Sequence, residues 1–276
     1  METDLERYTQ AYPQSRAELE SLQRIIVFQA DLAARVKLGP ALALDTAHAR
    51  WQAGLPLLSG EPLAVSPRLL RDALEGLRAA LSGHGQAQTT LDSLLASGYV
   101  DSTATESFLN DLSDGLSRNG AAHLRQLAAQ IEVDPDLLAL LLHTVFAPFV
   151  QQQVMPYRPW LDTFVWRHGY CSLCGAEPSM ARLAREDGRR ILVCSLCRSE
   201  WRFDRLRCPF CEADSAPHYR HFTVEGDPAH RVDCCEQCRR YLKTIDERVL
   251  AYEVNLRAEE IVTAHLDRLA HEQGYH

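Results

Sequence analysis

The chain has 276 residues, 46% of them hydrophobic and 24% charged, with a formal net charge of −8 and 9 cysteines. This is the composition of a globular protein with room for more than one domain, and it excludes collagen-like and disordered classes. The acidic balance argues against a nucleic-acid partner, because the whole chain would repel a polyanion.

The start, Met1-Glu2-Thr3-Asp4-Leu5-Glu6, is acidic where a secretory signal would be basic and then apolar. The expectation is a cytoplasmic chain whose cysteines stay reduced, so that metal binding outranks disulfide formation. The most apolar stretch, Leu137 to Val150, is 14 residues long and contains His143 and Pro148. It is too short for a bilayer and reads as a buried helix, with no stable membrane insertion.

Residues 1–14 read as a loose lead-in. Ser15-Arg16-Ala17-Glu18 has the form of a capping box, and Leu19, Leu22, Ile25, Ile26, Gln29, Leu32 and Ala33 follow helical spacing up to Gly39-Pro40. A short helix is expected near 43–52. Ser66-Pro67 opens the next helix, with Leu69, Leu70, Ala73, Leu74, Leu77 and Leu81 as its buried stripe, ended by Gly83-His84-Gly85. Helices are expected near 86–97, 103–118 and 120–130. Asp134-Pro135 caps a long one to about 153, kinked or interrupted at Pro148. One more short helix covers 158–167. His48, His84, His123 and His143 are scattered through this half without a paired acid, and no phosphate-binding loop is present.

The texture then changes. Strands are expected at Arg190–Val193, Ser199–Phe203, His218–Val224 and Arg240–Ile245, with Gly226-Asp227-Pro228 as a turn. A last helix, about 255–273, places Ile261, Val262, Leu266 and Leu269 on one face. The fold class is α+β and multidomain: a helical domain over 1–165, antiparallel β metal modules over 166–206 and 207–252, and a C-terminal helix within 253–276. Each β module is too small to fill a core alone and would need a metal staple.

All nine cysteines fall between Cys171 and Cys238. Eight form four Cys-x-x-Cys pairs, Cys171/Cys174, Cys194/Cys197, Cys208/Cys211 and Cys235/Cys238, separated by 19, 10 and 23 residues. Two thiolates two residues apart can turn onto one ion, and a second such pair completes a tetrahedral site. The spacing therefore predicts two mononuclear sites with sequential pairing. Cys171, Cys174, Cys194 and Cys197 hold one ion; Cys208, Cys211, Cys235 and Cys238 hold the other. Soft thiolates suit zinc or iron. Gly175 after Cys174 allows positive φ and N–H groups aimed at sulfur, as in the iron knuckles of rubredoxin; Cys197, Cys211 and Cys238 are followed by Arg, Glu and Arg, so this signal is partial. Iron–sulfur cluster spacings are absent. Cys234 is left over, as a buried free thiol or a reactive one. His168, His218, His221 and His230 lie nearby, but four cysteine pairs leave no ligand position vacant.

Residues 1–165 carry a side-chain charge of −7 and residues 166–250 one of +2. Arg182, Arg185, Arg189, Arg190, Arg198, Arg202, Arg205 and Arg207 either offset the negative charge of thiolate-bound ions or form a partner surface. Trp201, Phe210, Tyr219 and Phe222 would serve as aromatic anchors of such a surface.

Four stretches together resemble the formate dehydrogenase accessory proteins of the FdhE type. They are Cys171-Ser-Leu-Cys174-Gly-Ala-Glu-Pro178, Leu192-Val-Cys194-x-x-Cys197-x-x-Glu200-Trp201, Arg207-Cys208-Pro209-x-Cys211 and Cys235-x-x-Cys238-x-x-Tyr241-Leu242-Lys243. The Arg24-Ile-Ile-Val-Phe-Gln-Ala-Asp-Leu-Ala run is similar too. The resemblance implies a cytoplasmic, non-enzymatic assembly factor with two rubredoxin-like four-cysteine sites, iron favoured and zinc possible. It would bind the catalytic subunit of a respiratory formate dehydrogenase and support its maturation before export. The eight paired cysteines carry over as metal ligands. The residues by themselves leave two other classes open, a zinc-ribbon nucleic-acid binder and a rubredoxin-like electron carrier.

Overall fold

The computed structural model describes residues 2–37, 42–61, 63, 65–100, 121–213 and 218–276. Its compact units are two: Met1–Leu22, Leu161–Ser172 and Glu177–His276 form one, and Gln23–Trp160 with Leu173–Ala176 the other. The helix expected near 103–118 and the stop at Gly39-Pro40 lie outside the described residues.

The helical unit is built on one core. α2 (Arg16–Arg35), α3 (Leu44–Gln52), α4 (Pro67–Ala80), α5 (Gly85–Ala96), α6 (Ala121–Gln130) and α7 (Pro135–Val154) follow in chain order. The caps predicted at Ser66 and Asp134 are in place: the Ser66 side chain accepts from the Leu69 N–H, and that of Asp134 from the Leu137 N–H. Leu70, Ala73, Leu74 and Leu77 of α4 face Leu91 and Leu94 of α5 and Leu138, Leu142, Val145 and Phe146 of α7 in a shared cluster. The apolar run of α7 is thus explained by burial. With the 3-10 turns that follow it, Pro135–Thr163 is long and apolar enough to cross a membrane by composition, yet ten of the twenty α7 residues are buried in the protein.

α7 continues through Pro148 without interruption. Proline removes the N–H that would bond to the carbonyl four residues back, which is that of Thr144. That carbonyl instead accepts from Gln29 Nε2 of α2 at 2.8 Å. The expected helix over 158–167 is a 3-10 segment, Met155–Thr163.

The other unit holds six strands: β1 (Pro178–Leu183), β2 (Arg190–Cys194), β3 (Glu200–Arg202), β4 (Tyr219–Val224), β5 (Asp227–Cys235) and β6 (Tyr241–Asp246). They form one sheet in the order β3-β2-β1-β6-β5-β4. Pairing is antiparallel within β1-β2-β3 and within β4-β5-β6; β1 and β6 are parallel, with Met180 opposite Lys243. The sheet has two antiparallel halves, β1-β2-β3 and β4-β5-β6, within one unit. Joining them satisfies two strand edges that would otherwise expose unpaired backbone groups.

Two strands were not anticipated. β1 begins at Pro178, where no element was expected, and β5 begins at Asp227, inside the expected turn. The actual turn is Glu225-Gly226, with Gly226 at φ 84 and Val224 opposite Asp227. Pro228 is tolerated because it sits at the start of β5, beside a register shift where the ladder is irregular.

The lead-in is also ordered. α1 (Glu2–Ala11) is followed by a 3-10 turn, Pro13–Ser15, so Ser15 closes that turn and α2 begins at Arg16. Leu5 and Tyr8 are buried, and the Tyr8 hydroxyl donates to Glu259. The C-terminal helix is two, α8 (Leu256–Val262) and α9 (Ala264–Glu272), broken at buried Thr263, whose hydroxyl donates to the Glu259 carbonyl. A side chain that bonds back to the turn before it bends a helix at that point.

Candidate metal centres

Each cysteine pair is held by local backbone geometry. The first pair follows a packed aromatic turn, in which Trp166 Nε1 donates to the Tyr170 carbonyl at 2.6 Å and the His168 and Tyr170 rings stack at 4.9 Å. The β1–β2 hairpin puts Pro178 opposite Cys194 and so returns the second pair beside the first. At the tip between β2 and β3, the Cys194 N–H donates to the Ser199 carbonyl at 2.9 Å. The tip between β5 and β6 repeats this bond, from the Cys235 N–H to the Arg240 carbonyl at 2.9 Å. The third pair turns so that the Glu212 N–H meets the Cys208 carbonyl at 3.0 Å. Close approach packs it in place: a Cβ on Gly169 would lie 1.8 Å from the Pro209 carbonyl oxygen.

The residue after each pair has positive φ: Gly175 at 82°, Arg198 at 59°, Glu212 at 55° and Arg239 at 59°. Only the first is glycine, so the sequence showed this feature at one knuckle and concealed it at three. The left-handed residue costs a non-glycine side chain on the order of 1–2 kcal/mol. The turn it completes aims backbone N–H groups at sulfur: Cys197 N–H lies 3.4 Å from Cys194 Sγ, and Phe210 N–H 3.4 Å from Cys208 Sγ.

The eight paired cysteines come together as two groups, Cys171, Cys174, Cys194 and Cys197, and Cys208, Cys211, Cys235 and Cys238, with the sulfurs of each within 4.8 Å of one another. Among the described residues no third group of potential ligands is so arranged. Cys171 Sγ is 3.5 Å from Cys197 Sγ; Cys208 Sγ is 3.7 Å from Cys238 Sγ, and Cys211 Sγ 3.7 Å from Cys235 Sγ. Four thiolates about 2.3 Å from a tetrahedral ion are separated by about 3.8 Å. The sulfur separations in both groups are close to this value, so each group could hold one ion. Burial pushes the Cys208 thiol up, and that of Cys238 up to about 11. Burial opposes the Cys235 thiolate too, but N–H groups of Cys238 and Gln237 outweigh it and draw that thiol below its usual value. Buried thiols with raised pKa values lose their protons when a cation arrives.

The other predicted residues have varied fates. Cys234 is outside both groups: strand alternation turns it to the opposite face from Cys235, where it packs with Val232, Leu266, Ala270 and Tyr275. Burial pushes its thiol up to about 12, which makes it inert at neutral pH. His230 belongs to another cluster, its Nδ1 2.8 Å from Asp227 and its Nε2 2.9 Å from Glu259. Trp201 is no surface anchor; it is buried and donates to the His168 carbonyl at 3.1 Å. Tyr219 accepts from fully buried Arg190, and Phe210 lies under the Arg240 guanidinium at 3.7 Å.

Most of the arginines are paired. Arg198 grips Glu260 through two bonds of 2.9 and 2.8 Å, and Arg240 grips Glu177 at 2.8 and 2.7 Å. Burial works against the Arg198 charge, but Glu260 and the Cys194 and Cys197 sulfurs outweigh it and raise its pKa. Arg182 bridges Glu200 and Glu247, and Arg207 meets Glu212. Arg205 is exposed. The buried cluster of Tyr8, Asp227, His230 and Glu259 carried no sequence signal, because its members lie up to 251 residues apart.

No family model matches the chain. Over 110 residues it is 38% identical to a Protein FdhE homolog of Stutzerimonas stutzeri, a match that spans 38% of this chain and 35% of that protein. Over 108 residues it is 32% identical to Protein FdhE of Escherichia coli, spanning 38% of this chain and 34% of the relative. The matched segment is thus about a third of the length of these curated relatives. The crystal structure of the FdhE protein from Pseudomonas aeruginosa superposes with a TM-score of 0.60 at 20% identity, covering 99% of this chain and 89% of that one. The fold is that of this structure, and over the matched segment the chain is similar to these FdhE proteins.

Proposed function

We propose that this FdhE-type chain is a metal-binding accessory protein that engages the catalytic subunit of a formate dehydrogenase. On this reading it acts in the cytoplasm, by binding rather than turnover, and supports maturation of the subunit before export. The observation that carries the proposal is the closed geometry of the two four-cysteine groups. When all four ligands come from protein, no coordination position remains for a substrate or a water nucleophile. The eight cysteines are the ligands of two mononuclear ions. N–H···S contacts in knuckles of positive φ stabilise thiolate charge and favour iron; zinc fits the same tetrahedron.

The pairing of most arginines with carboxylates speaks for a rigid scaffold and against an open phosphate-binding face. The partner surface then falls to side chains left at the rim, Arg205 and Leu206 among them, both exposed. The test is capture of the catalytic subunit by the full chain. The Cys194→Ala/Cys197→Ala variant should lose binding together with one ion, and Arg205→Glu should weaken binding at unchanged metal content. Undiminished capture by both variants would refute the proposal.

A further inference from the structure

The two groups differ in how solvent reaches them. In the first, Cys171, Cys194 and Cys197 are each 0% exposed and Cys174 is partly covered. β2, which delivers Cys194, is buried along its whole length between β1 and β3. Cys197 Sγ is additionally 3.3 Å from the Ser199 hydroxyl. In the second, Cys208 and Cys235 are 1% exposed, Cys238 is partly covered and Cys211 is exposed. The contacts that pack this third knuckle, Gly169 N–H on Glu212 at 2.9 Å and Arg207 on the Glu212 carbonyl at 3.0 Å, hold the chain on either side of Cys211. Of the four ligands of this group, Cys211 is the exposed residue.

From this asymmetry we infer a division of labour: the first group holds its ion permanently, and the second exchanges its ion with soft thiolate or nitrogen donors from solvent. This deepens the reading of the eight cysteines as ligands and rests on it. Cys211 is the ligand that leaves. A donor from solvent would take the coordination position that Cys211 gives up, leaving the Cys211 thiolate free. The ion keeps its charge and no electron is transferred. Cys208 and Cys235, shielded beneath, leave later.

The test uses the full chain loaded with zinc and challenged with a chromogenic chelator, with alkylation by iodoacetamide mapped by peptide mass. The zinc content at the start tests the ligand assignment: a content other than two ions per chain sinks that assignment and this inference together. With two ions present, one should leave more than about tenfold faster than the other, as loss of a shielding outer shell implies. Cys211 should be alkylated during the fast phase while Cys171, Cys194 and Cys197 remain protected. Cys211→Ser should accelerate the fast phase and leave the slow phase unchanged. Release in a single phase, alkylation at Cys174 before Cys211, or a Cys211→Ser variant that changes only the slow phase would overturn the inference while leaving the ligand assignment standing.

Discussion

Arg190 of β2 and Asp233 of β5 face each other at 3.6 Å, with side chains 0% and 1% exposed. The arginine also donates to the carbonyl of Arg207 at 3.1 Å, directly before Cys208, and to the Tyr219 hydroxyl. Thr244 donates to Asp233 at 2.7 Å. One buried guanidinium therefore ties the strand that leads into Cys194 to the approach of the second cysteine group. Removing one partner strands the other charge in the interior. Asp233→Ala should destabilise this unit by about 3–5 kcal/mol, and an apolar replacement of both residues should recover much of the loss. Denaturant unfolding of the two variants measures the difference; a near-neutral single variant would contradict the ion pair.

His230 confers a pH dependence. Burial favours its neutral form, but Glu259 and Asp227 outweigh it and hold its pKa above the ordinary value. The folded state thus binds this proton more tightly than the unfolded chain, whose histidine titrates near 6.5. The stabilisation is complete below about pH 6.5 and is lost as pH rises through the raised folded value. Urea midpoints measured between about pH 6 and pH 9 should fall with pH in the wild type and flatten in His230→Gln. Equal slopes in the two would remove His230 as the cause.

Gln29 compensates for Pro148. With Gln29→Leu the Thr144 carbonyl loses the donor given above while the proline still supplies none. The expected cost is about 1–3 kcal/mol in thermal or denaturant stability of the helical unit, at unchanged metal content.

Gly169 admits the third knuckle. A side chain there would overlap the Pro209 carbonyl, so Gly169→Ala should displace Cys208 and Cys211. Elemental analysis should find about half the wild-type metal, with the ion of Cys171, Cys174, Cys194 and Cys197 retained.

Cys234 should behave as core. Cys234→Ala should keep full metal content and lose only about 1–2 kcal/mol. Alkylation of the folded wild type near neutral pH should leave Cys234 unmodified, since burial holds its thiol up at about 12.

The sequence alone was enough for the two four-cysteine groups and most of the helices. Cys-x-x-Cys places two ligands on one turn by local geometry, and caps such as Ser66-Pro67 and Asp134-Pro135 act within four residues. The grouping of cysteine pairs was also legible, because local β-hairpins join neighbouring pairs, whereas the entropic cost of interleaving is only up to about 1 kcal/mol. Tertiary structure decided the rest. β1 and β5 exist because neighbouring strands pair with them, which the residues of Pro178–Leu183 or Asp227–Pro228 do not announce. α1 is ordered where a loose lead-in was expected, and its buried Tyr8 donates to Glu259, 251 residues away. α7 passes Pro148 as a continuous helix, and a side chain on α2 bonds the carbonyl that the proline leaves bare. The left-handed residues Arg198, Glu212 and Arg239 adopt a glycine's conformation within knuckles stapled to the sheet. In each case the energy comes from groups distant in sequence, and no local pattern encodes which distant groups will meet.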